Sequence, residues 1–479
     1  MAAERQVPIN GGSRDPIDLM VIGGGSAGFA AAVRGAELGA RVALVEADTI
    51  GGTCVNIGCV PSKTLIRAVE SHHLAGEHRF RGIEPQAGRI DWATVMAQKD
   101  ELVQQLRKSK YSDVLAAYPG IRYIQGRAGL IGENRVEIDG EGYAPGKIIL
   151  ATGAKPWAPP IPGLDQVEYL DSTAALELRE LPASMIVLGA NAVGLELAQL
   201  YARAGTQVTL IEALPRIAPF EEPDVSAALS GYLEAEGLQI LAGFETRAIA
   251  PAGGGLKLAG FLNGAERAFE AERLLVATGR RPNTAGLGLE GAGVKLGGRG
   301  EIVVDDRLQS GNPFVFAAGD VIGKDMFVYV AAYGGMLAAE NALTGAGMRY
   351  DASYIPRVTF TDPQIASAGL TEEQARQQGR EVKVSTLAME HVVRAQAAHD
   401  TRGLIKLVAD AANDRLLGAH ILAPEAGEMI QTAVLAIRFG ITVSELRETM
   451  FPYLTNAEGL KLAAIAFEKD VAMLSCCAA

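Results

Sequence analysis

Short apolar runs alternate along the chain with alanine-rich stretches whose apolar positions recur at helical spacing. Asp18 to Ile22 predicts a buried strand, Phe29 to Leu38 a helix and Ala40 to Val45 a second strand that ends at Glu46. Gly23-Gly24-Gly25-Ser26-Ala27-Gly28 joins the first strand to the helix. The same order returns at Ser184: an apolar run to Leu188, then Gly189-Ala190-Asn191-Ala192-Val193-Gly194, then a strand from Gln207 to Ile211 that ends at Glu212. Residues Thr64 to Gly120 read as mostly helical, and Lys147 to Leu150 as a strand running into Ala151-Thr152-Gly153. That turn recurs as Ala277-Thr278-Gly279 after the strand at Leu274. A strand from Phe314 ends in Gly319-Asp320, and Val330 to Ala342 reads as a helix. From Tyr354 the pattern changes, with strands at Val358, Gly403 to Val408 and Leu416 to Leu422, and helices at Ala426 to Arg438 and Ala457 to Phe467.

This is an α/β chain with an internal repeat. In each copy the turn needs close backbone approach. Gly23, Gly25 and Gly28 permit a tight bend that brings a pyrophosphate to the helix N-terminus, and Glu46 suits ribose hydroxyls. In the second copy Gly189 and Gly194 are kept, and Asn191, a residue that tolerates unusual backbone angles, replaces the middle glycine.

At 479 residues the chain is long enough for two to four domains. Its formal charge of −12 argues against a nucleic-acid partner, which calls for a basic face. No apolar run reaches the length of a membrane span, about 18 residues or more. Met1 to Pro16 is polar and lacks a signal-peptide core, so a cytoplasmic location is expected. His72, His73 and His78 lack a metal spacing and read as a solvated loop. His420 sits mid-strand and reads as packed or hydrogen-bonded.

The four cysteines form two tight pairs, Cys54 with Cys59 and Cys476 with Cys477. The first lies in Gly51-Gly52-Thr53-Cys54-Val55-Asn56-Ile57-Gly58-Cys59-Val60-Pro61-Ser62-Lys63. The spacing suits a disulfide across the first turn of a helix. It equally suits two thiolates on one soft metal ion, a structural disulfide or half of a zinc site. A helix N-terminus beneath the thiols favours the reactive thiolate, and Lys63 adds positive charge one turn on. Adjacent cysteines at 476 and 477 make a poor staple but suit a soft cation.

That stretch, behind its glycine turn and acid, resembles the redox motif of the pyridine nucleotide–disulfide oxidoreductases, from about Ile17 to the last residue. The resemblance implies two Rossmann-like dinucleotide-binding domains, for FAD and NAD(P), and an α+β C-terminal dimerisation domain. The expected bounds are a flexible 1–16, an FAD domain of 17–155 with 277–348, an NAD(P) domain of 156–276, and a dimerisation domain of 349–479. Cys59 then faces the flavin, Cys54 meets substrate, and Lys63 lies near the flavin paired with Glu196. Gly52, Thr53, Thr152, Gly153, Gly279 and Asp320 join the FAD site, Asp320 on the ribityl chain. Relatives that gate the nicotinamide with a tyrosine carry it where this chain has Ala192.

Two departures select a branch. Disulfide-reducing relatives carry His-x-His-Pro-Thr-x-x-Glu near the C-terminus. Here Phe451-Pro452-Tyr453-Leu454-Thr455-Asn456-Ala457-Glu458 has lost both histidines, and Tyr453 is a poor base at neutral pH. With the terminal Cys-Cys, this resembles the mercuric reductases, without their N-terminal metal-trafficking domain. The resemblance implies a homodimer in which Cys476 and Cys477 pass thiol-bound Hg(II) to Cys54 and Cys59 of the other subunit, with Tyr111 and Tyr453 lining the path. It also implies NADPH. Glu212 instead suits the free hydroxyls of NADH, with Arg216 able to offset its repulsion of a 2′-phosphate.

Overall fold

The structure, a computed structural model, describes residues 16–77 and 79–473. It divides into two compact units, each assembled from separate stretches of chain. One takes Met1–Thr64, Met96–Trp157 and Gly279–Ala352, the other Leu65–Val95, Ala158–Thr278 and Ser353–Ala479.

In the first unit a five-stranded parallel sheet has the order Val315–Ala317, Lys147–Leu150, Leu19–Ile22, Val42–Glu46, Ile121–Gln125. Its three central strands are buried along almost their whole length, as parallel strands covered on both faces must be. Helix Ser26–Glu37 packs against helix Val328–Thr344 through small residues. A Cβ at Gly335 would lie 2.0 Å from the Ala27 carbonyl oxygen, so the two helices meet nearly backbone to backbone. A three-stranded antiparallel sheet, Ala128–Gly132, Arg135–Ile138 and Glu141–Tyr143, completes the sheet structure with the short pair Ala154–Pro156 and Arg280–Pro282.

The second unit repeats the parallel theme with Gln239–Ala242, Gln207–Glu212, Ser184–Leu188 and Arg273–Val276. A meander, Phe244–Ala252, Gly255–Leu262 and Ala265–Ala271, lies between two of those strands in sequence. Beyond residue 353 a five-stranded antiparallel sheet runs Arg357–Thr359, Gln364–Gly369, Leu416–Ala423, Leu404–Asp410, Val382–Ala388. Helices Ala426–Phe439 and Glu458–Ile465 pack on it. His420 is buried there, its Nε2 3.1 Å from the Leu370 carbonyl, as its mid-strand position predicts.

The stretch from Thr64 to Gly120 is mostly helical, as its pattern suggests. Helix Cys59–Gly76 and helix Trp92–Arg107 are separated by irregular chain containing Gly82, Pro85 and Gly88. His72 and His73 lie on the first of these helices and are half-buried, a correction to the solvated loop expected for them; His78 lies outside the described residues.

Six charges knit this unit together. Arg203 donates to Glu236 at 2.6 Å and to Asp362 at 2.8 Å. Arg402 meets the other oxygen of Asp362 and an oxygen of Asp400, each at 2.8 Å, and Arg79 also pairs with Asp400. Burial would raise the Asp362 carboxyl, but Arg402 and then Arg203 outweigh it and hold the group below its ordinary value. A depressed carboxylate stabilises the fold above the ordinary carboxylate range and loses that contribution as pH falls through its folded value. Arg203→Met, which leaves the part-buried Glu236 and Asp362 with Arg402 as their shared cation, is expected to cost up to about 3 kcal/mol at neutral pH. In thermal unfolding followed against pH, the gap from wild type should close as the carboxylates protonate.

Candidate functional site

The first glycine turn shows why its residues are small. A Cβ at Gly28 would lie 1.7 Å from the Gly23 carbonyl oxygen, and Gly23 itself has φ of +109°. Gly25 caps helix Ser26–Glu37 without any side-chain bond, so the first N–H groups of that helix remain able to meet an anion. Glu46 accepts from the Gly24 N–H at 2.6 Å and from the Asp48 N–H at 2.8 Å, which fixes its carboxylate beside the turn. Thr152 and Asn283 exchange hydrogen bonds of 2.7 and 3.0 Å, tying the Thr152-Gly153 turn to the chain after Gly279. Asp320 follows Gly319; its carboxyl is pushed up by burial, with Arg280 opposing from 3.9 Å. A glycine cradle, an uncapped helix end and two carboxylates suit the phosphates and polyol of a flavin dinucleotide.

The cysteine segment is seated on that cradle. Gly51 and Gly52 both have positive φ, +99° and +59°. A Cβ at Gly52 would lie 2.6 Å from the Gly25 Cα, and the Gly51 N–H donates to the Gly24 carbonyl at 3.0 Å. A short helix, Gly52–Ile57, then carries Cys54. The chain breaks at Gly58, and Cys59 opens a separate 18-residue helix, Cys59–Gly76. The two thiols therefore belong to different helices, a correction to the single first turn expected from their spacing.

The two sulfurs are not joined as a disulfide; Cys54 is half-buried and Cys59 exposed. The Cys54 thiol is pushed far above its ordinary range, first by its hydrogen bond with Cys59 and then by burial, with the Lys63 charge opposing. The N-terminus of the long helix favours negative charge at Cys59. The pair is thus divided into a proton-holding sulfur at Cys54 and an anion-favouring one at Cys59.

Tyr111 reaches the same place from a π-helical turn, Lys108–Ser112, that continues helix Trp92–Arg107. Its ring meets Phe29 edge-on at 4.8 Å, and its Cε2 would lie 3.3 Å from a Cβ at Gly51. Burial raises its hydroxyl, the Cys54 charge adds to that, and a hydrogen bond with Ser26 opposes. Asn56 and Arg107, which sequence reasoning passed over, join here. The Arg107 Nε donates to Asn56 Oδ1 at 2.7 Å. The one signal for Asn56 was its place between the two cysteines; Arg107 carried none.

The remaining predicted residues lie in the second unit. Gly189 has φ of +104°, and a Cβ at Gly194 would lie 1.8 Å from the Gly189 carbonyl oxygen. Asn191 adopts ordinary extended angles, φ −99° and ψ −173°, where unusual ones were expected. It stands at the N-cap position of helix Ala192–Arg203, though its side chain makes no capping hydrogen bond. Glu212 is buried and accepts from the Ala190 N–H at 2.7 Å and the Leu214 N–H at 2.8 Å, repeating the arrangement of Glu46. Arg216 donates to the carbonyls of Pro219 at 2.8 Å and Glu221 at 3.2 Å. Glu196 is buried and accepts from the Phe360 N–H at 3.0 Å. Tyr453 is half-exposed. Cys476 and Cys477 lie outside the described residues. Among the described residues no three histidine, cysteine or acidic side chains gather as a metal cluster, and no helix is long and apolar enough to cross a membrane.

Residues 17–342 match the family model for pyridine nucleotide-disulphide oxidoreductases, and residues 355–464 match the dimerisation domain of that family. A mercuric reductase of Streptomyces lividans is 47% identical over 468 residues, covering 96% of this chain and 98% of the relative. One from Bacillus cereus is 45% identical over 472 residues, covering 98% of this chain and 75% of the relative. Among solved structures, the HOCl-induced flavoprotein disulfide reductase RclA from Escherichia coli superposes with a TM-score of 0.83 at 32% identity, over 94% of this chain and 99% of that one.

The cradle makes a direct test. Gly52→Ala puts a Cβ into the left-handed region at a cost of about 1–2 kcal/mol and drives it against Gly25. Protein purified with this change should retain less flavin than wild type, read from its absorbance spectrum.

Proposed function

The chain belongs to the pyridine nucleotide-disulphide oxidoreductases, and within that family we propose how its residues divide the reduction of Hg(II) to Hg(0) by NAD(P)H. It is an FAD-dependent mercury(II) reductase, an enzyme of mercury detoxification. The net reaction is Hg(II) plus NAD(P)H giving Hg(0), NAD(P)⁺ and a proton. The observation that carries the assignment of residues is the divided thiol pair seated on the glycine cradle.

FAD bound there would supply a two-electron relay between the nicotinamide and the thiol pair. The helix end at Gly25, Glu46 and Asp320 would hold it, with Gly52 and Thr53 against it. Gly189, Gly194 and the Glu212 turn would hold the nicotinamide dinucleotide. Thiolates offer the soft ligation that Hg(II) takes. Cys54 keeps its proton until Hg(II) takes its place and the proton is released, and Cys59 supplies the first negative sulfur. Tyr111 packs beside this pair and would narrow the approach. Cys476 and Cys477 of the partner subunit are proposed to deliver the thiol-bound ion, with Tyr453 on the path. The dimerisation domain supports a homodimer, and we place the enzyme in the cytoplasm, where nicotinamide nucleotides are kept reduced.

NAD(P)H oxidation in excess thiol, with and without Hg(II), tests the reading. Cys54→Ala and Cys59→Ala should abolish the Hg(II)-dependent part while flavin stays bound. Removal of residues 476–479 should slow turnover of bulky Hg(II)–thiol complexes and leave flavin reduction intact. Hg(II)-dependent turnover at the wild-type rate in Cys59→Ala would remove the inner thiol from the mechanism.

Nucleotide choice turns on Glu212. Its buried carboxylate is held by the Ala190 and Leu214 N–H groups at the turn proposed to meet the ribose, and Arg216 is engaged with loop carbonyls. Negative charge there repels a 2′-phosphate, so appreciable NADH use is expected, with NADPH served if Arg216 swings free. Measured kcat/KM for both nucleotides should show Glu212→Ala improving NADPH relative to NADH. A wild type that strongly prefers NADPH, with the Ala variant unchanged, would displace Glu212 from the ribose.

A further inference from the structure

The loop between Glu212 and helix Pro223–Ala235 carries Arg216, and two features show that it is held against its own preferences. Ala218 has φ of +40°, a left-handed conformation that alanine disfavours. Arg216 is folded back so that its Nη2 donates to the carbonyls of Pro219 and Glu221, while its Nε is buried without a hydrogen-bond partner among the described residues. A buried donor left unmet is costly, so the arginine does not choose this pose for itself. Something outside the loop must impose it.

The near part of the loop is tied to the second glycine turn, where the Ala218 N–H donates to the Ala190 carbonyl at 2.8 Å. The far end is fixed by the antiparallel sheet beyond residue 353. Ser367 lies opposite His420, and His420 opposite Lys406, on three neighbouring strands, so the three side chains rise from one face of that sheet. They meet Glu221 and Glu222. Ser367 Oγ donates to Glu221 at 3.3 Å, and the two His420 nitrogens stand 4.0 Å from Glu221 and from Glu222. Lys406 makes the close bond: its Nζ donates to Glu222 at 2.8 Å, with both side chains buried. The Glu372 N–H donates to the other oxygen of Glu222 at 2.6 Å. Glu222 stands at the N-cap of helix Pro223–Ala235 but does not cap it; its carboxylate is turned onto the sheet instead.

Lys406 is also 3.0 Å from Glu372 and 3.7 Å from Asp224. One buried cation thus gathers three carboxylates. Without it they repel one another, and the grip on Glu222 becomes a push. Glu221, whose carbonyl receives Arg216, is the neighbour of the residue gripped. We infer that Lys406, acting through Glu222, is a positioning residue for nucleotide choice: it keeps the loop in the form that occupies Arg216, and so withholds that arginine from a 2′-phosphate. The inference rests on the proposed placement of Glu212 and Arg216 at the ribose. A binding-competent form that is only fractionally populated lowers the apparent affinity by that fraction. Release of the grip therefore favours NADPH alone, since NADH offers no 2′-phosphate for Arg216 to meet.

The test compares kcat/KM for NADPH and NADH in the holoenzyme, with Hg(II) in excess thiol. Lys406→Met should lower KM for NADPH and raise the NADPH-to-NADH ratio by about fivefold or more, the lower end of coupling between separate positions. Its kcat on NADH should stay near wild type. General damage cannot produce a gain for one nucleotide alone. Glu222→Gln keeps Lys406 paired with Glu372 and serves if the methionine variant does not fold; it should move the ratio the same way by a smaller step. In an Arg216→Gln background the Lys406→Met gain should vanish. Hydrogen exchange of residues 216–226, measured without nucleotide or Hg(II), reads the grip itself and should rise in both variants. Wild-type ratios in both variants would overturn the inference, as would a gain that persists undiminished without Arg216, or loop exchange at the wild-type level. Glu212→Ala separates the two failures. A ratio moved by Glu212→Ala but by neither Lys406→Met nor Glu222→Gln leaves the ribose reading standing and removes Lys406 from nucleotide choice. A ratio moved by none of the three, with loop exchange raised, removes the ribose reading and with it the inference that rests on it.

Discussion

Contact between two glycine turns is the constraint on which the first unit rests. The Gly23–Gly28 turn and the Gly51–Gly52 turn approach so closely that a methyl group on Gly52 would overlap Gly25. The first turn presents helix N–H groups to a dinucleotide, and the second starts the cysteine-bearing helix. Because they share a contact, a thiol pair is held at a fixed offset from whatever the first turn binds. Neither turn tolerates a side chain at the point where they meet, so position is set by backbone, the least adjustable part of the protein.

The second unit solves its own problem with charge. Arg203, Arg402 and Arg79 interleave with Glu236, Asp362 and Asp400 across elements far apart in sequence. Part-buried ion pairs such as these are screened by dissolved salt much less than exposed pairs. They add little net stability over an apolar core, but any one missing member leaves its partners short of a charge. The arrangement therefore favours one registry of strands and helices over near alternatives.

How much could be read from the sequence follows from which constraints are local. The glycine motifs and the acids Glu46 and Glu212 were legible because turn, helix and strand succeed one another within one βαβ unit. The cysteine pair was legible too, but its division between two helices was not. A glycine inside a helical pattern is usually tolerated, and only its backbone angles in the fold, φ −135° and ψ −106°, show that the helix ends at Gly58. His72 and His73 look like loop residues beside Gly76, yet the long helix that begins at Cys59 carries through them. Asn191 invited an appeal to special angles where the N-cap position takes ordinary extended ones. Arg107 was out of reach altogether: its partner Asn56 lies 51 positions away, and no periodicity links them.

The π-helical turn at Lys108–Ser112 has a consequence for how this protein can change over generations. Such a turn amounts to one residue inserted into an α-helix. Four of its five positions are exposed and only Tyr111 is half-buried, so ordinary replacements cost little. A change of length is different. Removing one residue would restore a regular helix and rotate everything beyond it by about 100°, carrying Tyr111 away from Phe29 and Gly51 while Arg107, upstream, stayed in place. The segment is therefore permissive in spelling and rigid in length.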